Sequence, residues 1–282
     1  MYKGFILILI ISFLGGCGYI VPTPKERFAT LKQLTNRGDL QRQIFTTKLF
    51  NIYSVHKDFS TCRDSIMDVY IEGDGLAWET STKISTNPTP INPLGLKLFL
   101  QDSHKCSIYL ARPCQYINSS TCRTKYWTSH RFSATVTESF NEVLNRIKSK
   151  YKISSFKLFG YSGGGAVGAL LAVSRDDIST LITIAGNLDI RYWTKEHYLT
   201  PLNGSLNPAD FTEKLSKIKQ IHLIGGRDNI VGVKVFKSYL ERFKDKSKIK
   251  YKVFDDFNHH RGWIKDWKKI LKDLDEQTKY QF

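Results

Sequence analysis

A chain of 282 residues that is 41% apolar and 13% aromatic can bury a sizeable core, and its hydrophobicity excludes disorder driven by low apolar content. The net charge of +16 would suit nucleic acid, anionic lipid or envelope polyanions. The lysines are scattered, however, and no zinc-finger, RNP or helix-turn-helix pattern accompanies them, so a solvated basic surface and no nucleic-acid partner are expected. Of the five cysteines, Cys17 lies in the N-terminal segment and Cys62, Cys106, Cys114 and Cys122 lie in the body. None is spaced C-x-x-C, which disfavours zinc and thioredoxin-like chemistry and favours two disulfides in an exported chain.

Met1 to Cys17 has the layout of a secretory signal. Lys3 is its only charge, Phe5 to Leu14 is apolar except for Ser12, and Gly15-Gly16 are small residues before Cys17. Leu14-Gly15-Gly16-Cys17 also resembles the lipobox of bacterial lipoproteins. That resemblance implies a signal peptide over residues 1–16, lipid attachment at Cys17 and a membrane anchor of several acyl chains. An uncleaved transmembrane helix over Gly4 to Val21, eighteen uncharged residues, is the alternative. Both place the body outside the cytoplasm. Thr23-Pro24-Lys25-Glu26 predicts a helix start with Thr23 as N-cap and Glu26 closing a capping box; Phe28, Leu31 and Leu34 form its apolar stripe. Residues 17–42 are thus expected as tether and helix, and residues 43–282 as the main domain.

Gln43 to His56 is β-rich and suits one or two strands. Ile66 to Ile71 and Ser107 to Ala111 are short apolar runs; between them Pro93 to Asp102 fits either period and is assigned as helix, because a crossover is needed there. Thr135 to Tyr151 is an amphipathic helix carrying Phe140, Val143, Leu144 and Ile147 on one face. Strands follow at Ser155 to Phe159, Leu181 to Ala185, Ile218 to Ile224 and Lys248 to Phe254, with helices at Val167 to Val173, Val231 to Phe243 and Trp263 to Leu274. The alternation predicts an α/β fold: a doubly wound, mostly parallel sheet with helices on both faces. Its longest interruption, residues 187–217, is a candidate lid. Cys62 and Cys106 each precede a strand, and Cys114 and Cys122 bracket a short loop. Of the three possible pairings, Cys62 with Cys106 and Cys114 with Cys122 is the one expected.

The chemistry centres on Gly160-Tyr161-Ser162-Gly163-Gly164, a G-x-S-x-G at a strand-to-helix corner. Alone it is weak, since roughly one chain in ten of this length would carry it by chance. A serine nucleophile needs a base, and the base needs a carboxylate to hold its tautomer. Asp228 follows one later strand and His259-His260 follow the next, so Ser, Asp and His stand at strand ends in the order of the doubly wound hydrolases. Asp189 is the substitute acid, and Asp228 could instead cap the helix that follows it.

On these residues the chain resembles the α/β-hydrolase fold family, in particular a branch of exported bacterial serine hydrolases with I-E-G-D-G, A-R-P-C-Q-Y, G-Y-S-G-G-G and S-L-N-P-A-D. Those segments stand here at Ile71–Gly75, Ala111–Tyr116, Gly160–Gly165 and Ser205–Asp210. The resemblance covers roughly Asp68 to Trp263. It implies Ser162 as nucleophile and Asp228 as acid. It also favours His259 over His260, because members of this branch place a tryptophan four residues after the histidine and Trp263 has that spacing. An oxyanion hole is expected from the N–H of Gly163 and one N–H of the Glu72-Gly73-Asp74-Gly75 loop, that of Asp74 or its rival Gly75.

The expected activity is hydrolysis of an ester, less readily an amide, on a small or lipid-like substrate through an acyl-Ser162 intermediate, with neither metal nor cofactor. A catalytically silent envelope binding protein and a serine peptidase are the alternatives. Trp78, Tyr116, Tyr126, Trp127 and Trp193 could line the pocket or serve as core.

Overall fold

The computed structural model describes residues 21–276, so the signal segment and Cys17 lie outside the described residues. None of the described helices is long and apolar enough to cross a membrane. Helix α1 (Pro24–Leu34) opens on the expected capping box: the Thr23 side chain accepts from Glu26 N–H, and Glu26 Oε2 accepts from Thr23 N–H at 2.7 Å. Its inner face buries Leu31, half-buries Phe28 and Leu34, and also buries Arg27, whose guanidinium donates to the carbonyls of Asn87 and Thr89. A charged residue on the inner face escapes a search for apolar periodicity.

Eight strands form one sheet in the order β1-β2-β4-β3-β5-β6-β7-β8. They are β1 (Gln41–Thr46), β2 (Asn51–His56), β3 (Ile66–Ile71), β4 (Ser107–Leu110), β5 (Ser155–Tyr161), β6 (Ile178–Ile184), β7 (Gln220–Gly225) and β8 (Ile249–Phe254). The β1-β2 and β2-β4 pairs are antiparallel and every other pair is parallel. Strand β1 begins at Gln41, two residues inside the stretch expected as tether and helix.

The interior alternates with the pleat. Met67, Val69, Ile71, Phe156 and Leu158 face one apolar cluster with α3 (Ala134–Tyr151), α4 (Gly163–Ser174) and α7 (Val233–Glu241). Tyr70, Phe159 and Tyr161 face the other, with α1, α2 (Leu94–Phe99) and α8 (Trp263–Glu276). Both faces of the sheet are therefore covered by helices, which is why the central strands read as nearly continuous apolar runs. The run ambiguous between strand and helix is α2.

Both disulfides have the expected pairing. Cys62 and Cys106 precede β3 and β4, which are parallel neighbours, so the two Cα atoms meet at one end of the sheet, 5.3 Å apart. Cys114 and Cys122 close their short loop with Cα atoms 5.8 Å apart.

Residues 187–217 contain α5 (Ile190–Glu196) and α6 (Thr212–Leu215). The segment is pinned to the body by Leu206 N–H to Phe132 O and Ser205 Oγ to Ser129 O, and it is braced internally by Ile190 N–H donating to Asn207 Oδ1.

Candidate active site

Strand β5 runs into α4 with one residue at the corner. Ser162 has φ 51° and ψ −119°, a left-handed conformation that costs an L-residue energy and is held here by its surroundings. Its N–H donates to Ile184 O at 2.9 Å, and its carbonyl accepts from Gly165 and Asn187 N–H. At Gly160 a Cβ would come 2.5 Å from Gly164 O, so the tight corner requires glycine there.

The three expected side chains converge. His259 Nε2 lies 3.0 Å from Ser162 Oγ, and His259 Nδ1 lies 2.8 Å from Asp228 Oδ2. A carboxylate only accepts, so Nδ1 carries the ring proton and Nε2 is left to accept from the serine hydroxyl. His260 is instead 2.9 Å from Tyr161 Oη, and burial and the neighbouring His259 push its pKa down.

Asp228 does two jobs at once. While Oδ2 meets His259, Oδ1 accepts from Ile230 N–H at 2.8 Å and Val231 N–H at 2.9 Å. Burial pushes this carboxyl upward, but the hydrogen bond and charge of His259 and the two N–H donors outweigh it and hold the pKa below the ordinary value. One oxygen thus meets His259 while the other closes the turn before α7, whose N-cap is Gly232 and not Asp228 as the helix-cap alternative expected. Asp189 is occupied elsewhere: it caps α5 at Tyr192 N–H and takes Ser238 Oγ and Arg242 Nε.

Trp263 has a visible part in this arrangement. Its indole N–H donates to Asn258 O at 2.9 Å, bracing the loop that carries His259.

The Glu72–Gly75 loop passes over the elbow, so that a Cβ at Gly73 would come within 3.4 Å of Ser162 Cβ. Sequence reasoning missed how it is held. Glu72 is buried, and its carboxylate accepts from the N–H groups of Gly73, Gly95 and Leu96 and from Tyr109 Oη. It therefore caps α2, whose own N-cap, Pro93, provides no side-chain cap. Burial raises the Glu72 pKa, with those four donors opposing the rise.

Since Gly73 N–H is spent on Glu72, the loop's remaining candidates to face an oxyanion are Asp74 and Gly75. Among the described residues, neither the N–H of Asp74 nor that of Gly163 meets a backbone acceptor. The Asp74 carboxylate packs against Gly163 so closely that any Cβ there would strike it. An anion at this place would oppose a developing oxyanion. Two buried guanidiniums clamp it: Arg112 Nη1 at 3.1 Å from Oδ1 and Arg131 Nη1 at 2.8 Å from Oδ2.

The elbow opens into a cleft of about 1140 Å³. Its walls are Leu76 to Trp78 with Ile84, Trp193 with Tyr198 to Leu202, and Ile230 with Val231. Trp78 and Trp193 therefore line it. Tyr116, Tyr126 and Trp127 do not, being drawn into packing on Tyr53, onto Phe50 and, for the Trp127 indole, to Ser85 O.

Neither a family model nor a curated protein matches this sequence. Solved structures do match. An esterase from Pyrococcus furiosus superposes with a TM-score of 0.60 at 13% identity, covering 91% of this chain and 96% of its own. The fold is the α/β-hydrolase fold. An α/β serine hydrolase homologue from Coxiella burnetii gives 0.55 at 12% identity, covering 84% of this chain and 97% of its own. A member of the serine hydrolases described as without a lid, from Xanthomonas campestris, gives 0.55 at 11% identity, covering 87% of this chain and 98% of its own. At these identities the likeness speaks to the α/β-hydrolase architecture, and the chemistry rests on the site.

Proposed function

We propose that this protein is a serine hydrolase of the cell envelope that cleaves esters through an acyl-Ser162 intermediate. The observation that carries the proposal is the unbroken chain of contacts from Asp228 Oδ2 through the His259 ring to Ser162 Oγ, at 2.8 and 3.0 Å. In this scheme His259 takes the hydroxyl proton as Ser162 Oγ attacks the ester carbonyl, and Asp228 stabilises the imidazolium. The N–H groups of Gly163 and Asp74 meet the oxyanion. Gly163 begins α4, where the partial positive charge of the helix N-terminus adds to its own N–H. His259 then protonates the leaving alcohol, and a water deprotonated by the same imidazole releases the acid.

The apolar cleft walls support an acyl or lipid-like substrate. The two disulfides support an oxidising compartment, in keeping with an exported chain anchored through lipid at Cys17. The test is covalent labelling with a fluorophosphonate: the wild type is labelled and Ser162→Ala is not, with circular dichroism unchanged. Equal labelling of the variant removes Ser162 as nucleophile.

A further inference from the structure

After β6 the chain turns through Ala185, at φ 49°, and Asn187 arrives beside the elbow. Its backbone N–H donates to the Ser162 carbonyl at 3.2 Å, which fixes where the side chain starts. That side chain lines the cleft, and the residue is 3% exposed. Its Oδ1 is buried, yet no described residue donates to it. The neighbouring buried amide shows the contrast. Asn207 Oδ1 accepts from Ile190 N–H at 2.8 Å, and its Nδ2 donates to Asp189 Oδ1 at 3.2 Å.

A buried carboxamide oxygen left unpaired is unfavourable, and native interiors rarely keep one without a reason. The other polar groups around the elbow are engaged: Glu72 with four donors, Asp74 with two guanidiniums, Asp228 with two backbone N–H groups and His259. Asn187 shares the cleft wall beside Ser162 with Glu72, Asp74 and His259, and differs from them in having a buried side-chain oxygen that no described residue pairs.

We propose that Asn187 is a specificity-determining residue, whose carboxamide hydrogen-bonds a hydroxyl or amide on the substrate close to the scissile ester. This rests on Ser162 being the nucleophile. Rotation about χ2 presents either the C=O or the NH₂ to the cleft, and a hydroxyl or amide can answer both. The apolar remainder of the substrate lies against Trp78, Trp193, Leu202 and Ile230. The preferred substrate is thus an amphipathic ester, polar next to the reacting carbonyl and apolar beyond it. A site built to meet a polar group rejects the analogue lacking it, because the site group is then left unpaired.

The polar group can stand in the acid half or in the alcohol half, and two matched pairs separate these sources. One pair is the p-nitrophenyl ester of an α-hydroxyhexanoic acid against that of hexanoic acid. The other is glycerol monohexanoate against propyl hexanoate. The full chain, Asn187→Leu and the smaller Asn187→Ser are compared by the ratio of kcat/KM within each pair, with fluorophosphonate labelling as the measure of an intact Ser162. The expected result is a wild-type preference for the hydroxylated member of one pair by about 10- to 100-fold, falling towards unity in both variants while labelling persists. A ratio near unity for the wild type in both pairs, or a ratio unchanged in a labelled variant, overturns the role of Asn187 and leaves the serine-hydrolase proposal standing. A wild type that neither labels nor hydrolyses any of the four esters overturns both.

Discussion

The two oxygens of Asp228 make its replacement by asparagine a sharp test. Oδ1 satisfies Ile230 and Val231 N–H, and Oδ2 holds His259 Nδ1. Asparagine can keep Oδ1 on the backbone donors, which leaves its NH₂ group facing Nδ1. The imidazole must then accept at Nδ1 and carry its proton at Nε2, 3.0 Å from Ser162 Oγ, where it cannot take the serine proton. The expected loss in kcat is about 10⁴-fold, or about 5 kcal/mol of barrier. Stability should fall by no more than about 1 kcal/mol, since the buried backbone donors stay paired. Asp228→Ala removes both oxygens. It should lose similar activity and, in addition, about 1–3 kcal/mol of stability from the orphaned N–H groups. Initial rates on a short-chain ester and urea unfolding measure the two effects separately. An Asn variant within tenfold of wild-type turnover would refute the tautomer argument, and equal destabilisation by Asn and Ala would refute the role of Oδ1.

Three further outcomes follow from other parts of the molecule. Gly163→Ala should abolish fluorophosphonate labelling while the fold persists, because the new Cβ must displace the Asp74 carboxylate and the loop above Ser162; normal labelling would show that the loop has no part in the hole. Removing the Cys62–Cys106 bridge, with a sequence separation of 44, should destabilise by about 4 kcal/mol, against about 2.5 kcal/mol for Cys114–Cys122, with a separation of 8; denaturant unfolding of the two Cys→Ser pairs, with the reverse ranking, would contradict the chain-entropy argument. Asp68 faces Lys157, Asp102, Asp275 and Lys57, and its Oδ2 lies 3.5 Å from His104 Nδ1; burial pushes its carboxyl up to about 7 from 3.8. A carboxyl raised in the folded state favours folding at low pH, and that contribution is lost as pH rises from about 4 to about 7. Asp68→Asn should therefore raise the thermal midpoint at pH 8, by up to about 4 kcal/mol of stability, and leave it nearly unchanged at pH 4; an equal shift at both values would show that the effect is not titration.

Much of this architecture is written locally. A run such as Ser155 to Phe159 between a helix and a glycine corner reads as a parallel strand, and the capping box at Thr23 and Glu26 marks a helix start within four residues. Because strands of such a sheet present their carboxyl ends to one edge, Ser162, Asp228 and His259 could be placed at that edge from chain order. The Cys62–Cys106 pair follows from the same logic once β3 and β4 are parallel neighbours, and the Cys114–Cys122 pair from the short loop between them.

What chain order leaves open is which atoms meet, and only tertiary packing decides that. His259 and His260 are adjacent in sequence. Trp263 bracing the loop and Tyr161 meeting His260 accompany the placement of the first ring, not the second, between Asp228 and Ser162. The arginines that neutralise Asp74 stand 38 and 57 residues away, and the first helical N–H that Glu72 caps, that of Gly95, stands 23 residues later. No periodic pattern encodes such contacts, because they satisfy charges and donors that exist only once the sheet has brought distant loops together. The same holds for Asn187. Its sequence context is an ordinary strand end, and only the assembled cleft leaves its Oδ1 buried near Ser162 without a partner among the described residues.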